Sequence, residues 1–179
     1  MIVFKEISAD NYAFARNVFE SSFPIDERPL FENLELRDKN LFHFNVVYFN
    51  DEYPVGIFSY WSFGTFSYVE HFAVDEKYRN NGIGQSIMMH FLLHIALPQV
   101  VLEVEMPDTT IAQRRIEFYK RMGFTANSHN YIQPSYHSDG NTLPMIIMSL
   151  STLSANAFAE VKQCLYSEVY HTGGIAKNN

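Results

Sequence analysis

The chain has 179 residues, 47% of them hydrophobic, a formal net charge of −7 at neutral pH and one cysteine. That charge disfavours a nucleic-acid partner, which needs a basic face; the lone Cys164 excludes an intramolecular disulfide and suits a reducing compartment. No apolar stretch approaches the roughly 20 residues of a membrane span, and no basic amino-terminal region precedes an apolar core, so the expectation is a cytoplasmic protein without a membrane partner, with one domain over 1–172 and a mobile tail over 173–179.

In chain order, Ile2 to Ile7 reads as a short strand, and a helix follows from about Asp10 with Phe14, Val18 and Ser21 or Ser22 at helical spacing. Pro24 and Pro29 interrupt that pattern and bound an ordered connection, which leads into a short helix near Leu30 to Leu36. Residues 41–50 and 54–62 read as an aromatic-rich hairpin turning through Asn50-Asp51-Glu52-Tyr53, and a turn at Phe63-Gly64 leads into a third antiparallel strand ending at Val74.

After a glycine turn, a helix carries Ile83, Ile87, Phe91 and Ile95 on one face, with Met88, Met89, Leu92 and Leu93 leaving almost no polar side; the pattern predicts a fully buried helix ended by Pro98. Val100 to Glu105 is a strand, parallel to the one before that helix because a crossover joins them. The next helix starts near Asp108 or Thr109, stops at Gly123, and places Phe124 to pack back on its last turn. Strands near Phe124 to Ile132 and Leu143 to Leu150 form a closing hairpin through Asp139-Gly140-Asn141. A last amphipathic helix carries Phe158, Val161, Leu165 and Val169.

The run from Val69 to Gly84 says most about function: an apolar strand reaches Arg79-Asn80-Asn81-Gly82-Ile83-Gly84, then a helix. Glycine lets backbone approach a ligand, and the first helical N–H groups have no intrahelical partners, so this geometry suits an anion such as phosphate. A P-loop would require Gly-Lys-Ser/Thr where Gln85 and Ser86 follow Gly84, and a dinucleotide fingerprint would need glycine at Ile87. About thirty-five residues on comes Arg114-Arg115-Ile116-Glu117-Phe118-Tyr119-Lys120-Arg121-Met122-Gly123-Phe124.

Together the two segments resemble the GNAT superfamily of acyl-CoA N-acyltransferases, whose cofactor loop reads Arg/Gln-x-x-Gly-x-Gly/Ala and whose later helix ends in Phe/Leu-Tyr-x-x-x-Gly-Phe. The resemblance covers roughly residues 41 to 150. It implies an α/β (α+β) fold with a mixed, mostly antiparallel central sheet flanked by helices. In that fold a βαβ crossover makes a V-shaped cofactor cleft, because the strands ending at Val74 and Glu105 splay apart and admit pantetheine like an added strand.

It also implies acetyl-CoA as cofactor, with coenzyme A as product, backbone of Phe72, Ala73 and Val74 on pantetheine and the thioester oxygen, and amides of Arg79, Asn80, Asn81, Gly82, Ile83 and Gly84 on pyrophosphate. Relatives often carry Asn and Ala where this chain has Ala112 and Arg115; Arg115 either neutralises cofactor phosphates or points to solvent. The implied partner is a small-molecule amine, less readily a protein amino group, and the resemblance leaves room for a homodimer. A non-catalytic acyl-CoA-binding module is the alternative.

An amine of pKa ~10 is ammonium at neutral pH, and removing its proton costs on the order of 4 kcal/mol. Glu70, four residues before Val74, occupies the place where many GNAT enzymes keep a carboxylate, and strand parity sets it on the face of Phe72 and Val74, so it is the expected base. A solvated residue or a substrate anchor is the other reading. Tyr119 resembles the family's general acid, against a core aromatic. Glu103 and Glu105 share a strand face and could form a negative mouth for a cationic amine, while Glu27, Tyr131, Gln133 and Tyr136 lie on loops expected to flank the cleft.

His90 and His94 have the spacing of a zinc pair but lack the accompanying Glu, so no metal is expected. Cys164 has no neighbouring base and reads as packing rather than a nucleophile.

Overall fold

The computed structural model describes residues 1–138 and 140–172; Asp139 of the hairpin turn and the tail from Gly173 lie outside the described residues. The chain's contacts cluster into two compact units, Met1–Leu102 and Glu103–Asn179.

In the first unit, strands β1 (Ile2–Glu6), β2 (Phe42–Phe49), β3 (Tyr53–Ser62) and β4 (Ser67–Val74) pair in order, each antiparallel to the next. The β2–β3 turn places Asn50 and Asp51 at φ 54° and 64°, a left-handed pair that tight hairpins need and that Asn and Asp tolerate. Strand β5 (Val100–Glu105) joins β4 in parallel through helix α2 (Ile83–His94), as the crossover requires. The β4–β5 ladder comprises Ser67–Val100, Tyr68–Val101 and Val69–Leu102, and β4 continues beyond it to Val74 on the β3 side.

Helix α1 (Tyr12–Ser22) buries Ala15, Val18 and Phe19, an i, i+3, i+4 stripe that starts one residue later than Phe14. Phe19 meets Phe44, Phe31 and His71 with ring centroids 6.0, 5.5 and 4.8 Å away, so α1 covers the face that carries Phe44, Ser59 and Trp61. The segment between α1 and β2 forms two short 3₁₀ turns, Ile25–Glu27 and Phe31–Leu36, the second in place of the predicted short helix.

Helix α2 covers the opposite face, with Phe91 4.6 Å from Phe58 and 5.0 Å from Tyr60. Full burial of α2 is not observed: Ile87, Met88 and Phe91 are enclosed, but Met89 and Leu93 are 45% and 71% exposed. A sheet face covers only one side of a helix, however apolar the rest. The helix also stops at His94, before Pro98 is reached; the Ile95 and Ala96 N–H groups both close on the Phe91 carbonyl.

A β-bulge decides where the functional strand aims its side chains. Ser59 pairs with His71 and Tyr60 with Val69, which leaves Glu70 as the extra residue. Beyond the bulge Phe72 packs on Phe58 on the α2 face, while Glu70 reaches Trp61 and His71 reaches Ser59 on the α1 face. The parity that would align Glu70 with Phe72 and Val74 is therefore broken. Near the strand end, β3 passes so close that a Cβ on Gly56 would lie 2.3 Å from the Ala73 carbonyl oxygen, which only glycine permits.

In the second unit, helix α3 (Thr110–Arg121) is capped by Thr109, whose Oγ1 accepts the Ala112 N–H at 3.1 Å. Gly123 at φ 92° ends it, and Phe124 folds back with its N–H on the Tyr119 carbonyl at 3.1 Å. The strand predicted over 124–132 is split into β6 (Thr125–Ala126) and β7 (Tyr131–Gln133), which pair with successive stretches of β8 (Leu143–Ser149). Buried Asn127 is the reason: its side chain donates to the Ile147 carbonyl and Ser149 Oγ and accepts the Leu153 N–H, replacing ladder bonds. Helix α4 (Ala155–Cys164) runs into a π-helical turn, Leu165–Val169; Phe158, Val161, Leu165 and Val169 are buried as the periodicity requires.

The whole is a mixed, mostly antiparallel open sheet flanked by helices. No helix among the described residues is long and apolar enough to cross a membrane.

Candidate active site

Gly82 sits at φ 74° immediately before α2, and a Cβ there would meet nothing within 4 Å, so the backbone at this corner borders open space. The Ser86 N–H is bonded back to the Gly82 carbonyl at 3.1 Å, while the preceding first-turn amides of Ile83, Gly84 and Gln85 have no intrahelical acceptor. No acidic residue lies in the first turn to compete for them. Converging donors at the positive end of a helix, beside open space, fit a phosphate group.

Arg79 of this segment is a brace. The Arg79 Nε donates to the Val74 carbonyl at 2.9 Å and its Nη2 reaches Ser22 Oγ at 3.4 Å, so the guanidinium ties the turn to the end of β4 and to α1. Asn80 is left-handed as well, at φ 64°, and Asn81 is exposed. Phe72 and Ala73 pair with Phe58 and Ile57.

The Glu70 side chain is enclosed completely, and its carboxylate is held by Arg37: Nη2 donates to Oε1 at 2.9 Å and Nη1 to Oε2. Trp61 Nε1 adds a bond to Oε2 at 2.8 Å. The guanidinium carbon lies 4.5 Å from the Phe42 ring and 5.1 Å from that of Trp61, two cation–π contacts in a buried site. Burial alone would raise the Glu70 carboxyl, but the Arg37 charge and the donated bonds overcome it and hold it down at about 2. Burial also pushes His71 down, to about 4, so its ring is neutral at pH 7 and Arg37 is the cation that matters. The His71 Nε2–H faces the Glu27 carbonyl at 3.3 Å, which pins the first 3₁₀ turn to β4.

In the second unit Tyr119 is buried, its ring 5.2 Å from Phe118 and 5.7 Å from Phe124. Burial pushes its hydroxyl up to about 12, with Arg115 opposing and Glu105 adding to the rise, so it stays protonated. Arg115, one turn earlier, pairs with Glu105. Glu103 accepts from three side chains: the Tyr131 hydroxyl, Gln133 Nε2 at 2.7 Å and the Tyr170 hydroxyl at 2.6 Å. The Tyr136 hydroxyl reaches that of Tyr170 at 3.4 Å. The structure thus gathers Glu103, Tyr131, Gln133 and Tyr136 into one cluster, whereas Glu27 belongs to the Glu70 neighbourhood through its backbone.

Arg37, Trp61 and Tyr170 were not legible as site residues, because each joins its carboxylate across more than eight residues and none lies in a motif. His90 stacks on Phe4 at 5.4 Å, and no group of metal-ligating side chains occurs among the described residues. Burial raises the Cys164 thiol to about 11, which makes it a poor nucleophile.

The mixed sheet, the β4–α2–β5 crossover and the glycine turn before α2 are the architecture of an acetyltransferase fold. The chain belongs to the acetyltransferase (GNAT) family, whose model matches residues 8–124. Among solved structures it is similar to a Bacteroides thetaiotaomicron protein assigned to the GNAT acetyltransferases, at 35% identity and TM-score 0.85 over 94% of this chain and 98% of that one. The ribosomal-protein-S18-alanine N-acetyltransferase of Escherichia coli (17% identity, TM-score 0.57, covering 87% and 98%) shares the fold. So does the Vibrio cholerae spermidine N-acetyltransferase in complex with CoA and spermine (12% identity, TM-score 0.60, covering 83% and 94%). No curated protein matches the chain significantly.

Proposed function

We propose that this chain transfers an acetyl group from acetyl-CoA to a primary amine of a small molecule, by direct attack of the amine on the thioester. The observation that carries the reading is the left-handed Gly82 corner with the outward amides of the first α2 turn, a fit for the cofactor's pyrophosphate. Backbone of β4 beyond Val69, past the end of the β4–β5 ladder, is the proposed track for pantetheine. When bound, acetyl-CoA supplies an activated carbonyl and a thiolate leaving group.

Tyr119 stays protonated and is proposed to donate a hydrogen bond to the developing thiolate. At about 12 it is a weaker acid than a thiol, near ~8.5. It therefore stabilises charge rather than giving up its proton for good. Glu70 is proposed as an anchor instead of the base: a carboxylate held at about 2 by a buried guanidinium has no useful affinity for a proton from an ammonium ion. The proton then leaves through water.

The locked state of Glu70 also favours a second reading, a non-catalytic acyl-CoA-binding module. Release of free CoA from acetyl-CoA across amino acids, polyamines, aminoglycosides and peptides decides between them. Amine-dependent release supports transfer; binding of acetyl-CoA with no release by any amine supports the module.

A further inference from the structure

Two buried side-chain oxygens are without a hydrogen-bond partner among the described residues, Gln133 Oε1 and Glu105 Oε2, and both belong to the second unit. Buried acceptors are rarely left unpaired. Gln133 is only 4% exposed, and its orientation is not arbitrary. Its Nε2 donates to Glu103 Oε2 at 2.7 Å and to the Tyr170 hydroxyl at 2.9 Å, so flipping the amide would set its oxygen against the carboxylate. Glu105 stands outside that hydrogen-bonded cluster, two residues beyond Glu103 on the same face of β5 and roughly 7 Å along the strand; its Oε1 is paired with Arg115 and its Oε2 is the orphan.

We propose that Glu103, Glu105, Gln133 and Tyr136 form a subsite for an ammonium group, which makes the acceptor a small organic cation carrying a second protonated nitrogen. The inference rests on the N-acetyltransferase reading. An ammonium has three N–H donors and no acceptor, which matches orphan acceptors beside a carboxylate. A phosphate or carboxylate would be repelled, and a neutral hydroxyl brings one donor. Half-buried Tyr136 lies in the loop between β7 and β8, and its 3.4 Å approach to Tyr170 is at the weak limit of hydrogen bonding.

The test titrates the full chain calorimetrically with 1,4-diaminobutane, butylamine and 1,4-butanediol, and measures acetyl-CoA-dependent turnover of the two amines. Diaminobutane should bind, butanediol should not, and Gln133→Met and Glu105→Gln should each weaken diaminobutane by about tenfold or more with CoA affinity unchanged. Should Gln133→Met fail to fold, Glu105→Gln carries the test, since that side chain lies at the partly exposed edge. Equal binding of diol and diamine, or diamine affinity within about twofold of wild type in the folded variants, overturns the subsite. Turnover of butylamine with the same KM as diaminobutane overturns the subsite and leaves acetyl transfer standing. Diaminobutane binding that depends on Gln133, without CoA release, does the reverse.

Discussion

Arg37 holds Glu70 with both arms of its guanidinium, across 33 residues of sequence and against the rings of Phe42 and Trp61. A carboxylate so placed is charged without being available, because the charge that stabilises it also removes its proton affinity. The pair fastens the segment after α1 to the bulge in β4.

Removing one partner of a buried pair leaves the other uncompensated, so Glu70→Gln is expected to cost about 3–5 kcal/mol of stability, read from urea unfolding. The double variant Arg37→Met, Glu70→Gln should recover part of it. In the folded fraction, the pH profile of kcat/KM should run parallel to wild type. A deficit that shrinks as pH rises, with stability intact, would restore Glu70 as the base.

Tyr119→Phe keeps the ring against Phe118 and Phe124 but removes the donor. Loss of one preorganised donor to developing charge typically costs about 10² in kcat, and that fall is expected here with CoA affinity unchanged. Activity within about threefold of wild type would reduce Tyr119 to packing.

At the Gly82 corner, φ 74° tolerates Asn and Asp better than other side chains, which allows charge and bulk to be separated. Gly82→Asp brings a carboxylate near the phosphate position, where a like charge at about 4 Å costs up to ~4 kcal/mol, so CoA affinity should fall by 10² or more. Gly82→Asn should lose much less. The shift in melting temperature with CoA reports both, and equal losses would point to sterics alone.

Acid stability should fall in two stages. His71 is depressed to about 4 in the folded state from 6.5, so its contribution is complete above pH 6.5 and is lost as pH falls toward 4. Glu70, depressed to about 2 from 4.5, contributes fully above pH 4.5 and is lost as pH falls toward 2. One proton taken up on unfolding gives a slope of about 1.4 kcal/mol per pH unit in each window. His71→Gln should flatten the first stage in unfolding titrations between pH 4 and 7; an unchanged slope would mean that His71 is not the group responsible.

Local chemistry was enough for much of this protein. The hairpin through Asn50-Asp51, the helix start at Gly82, the Thr109 cap and the Gly123 stop follow from backbone preferences of one or two residues. The motif around Gly82 and the Tyr119 position sufficed for the family. Other features depended on neighbours that come from far along the chain. The bulge at Glu70 arises from β3 pairing, the exposure of Met89 and Leu93 from the extent of one sheet face, and the split between β6 and β7 from Asn127 meeting β8. The state of Glu70 was the least legible of all. A carboxylate's proton affinity is set by the charges and burial around it, and Arg37 and Trp61 reach it only once the chain is folded.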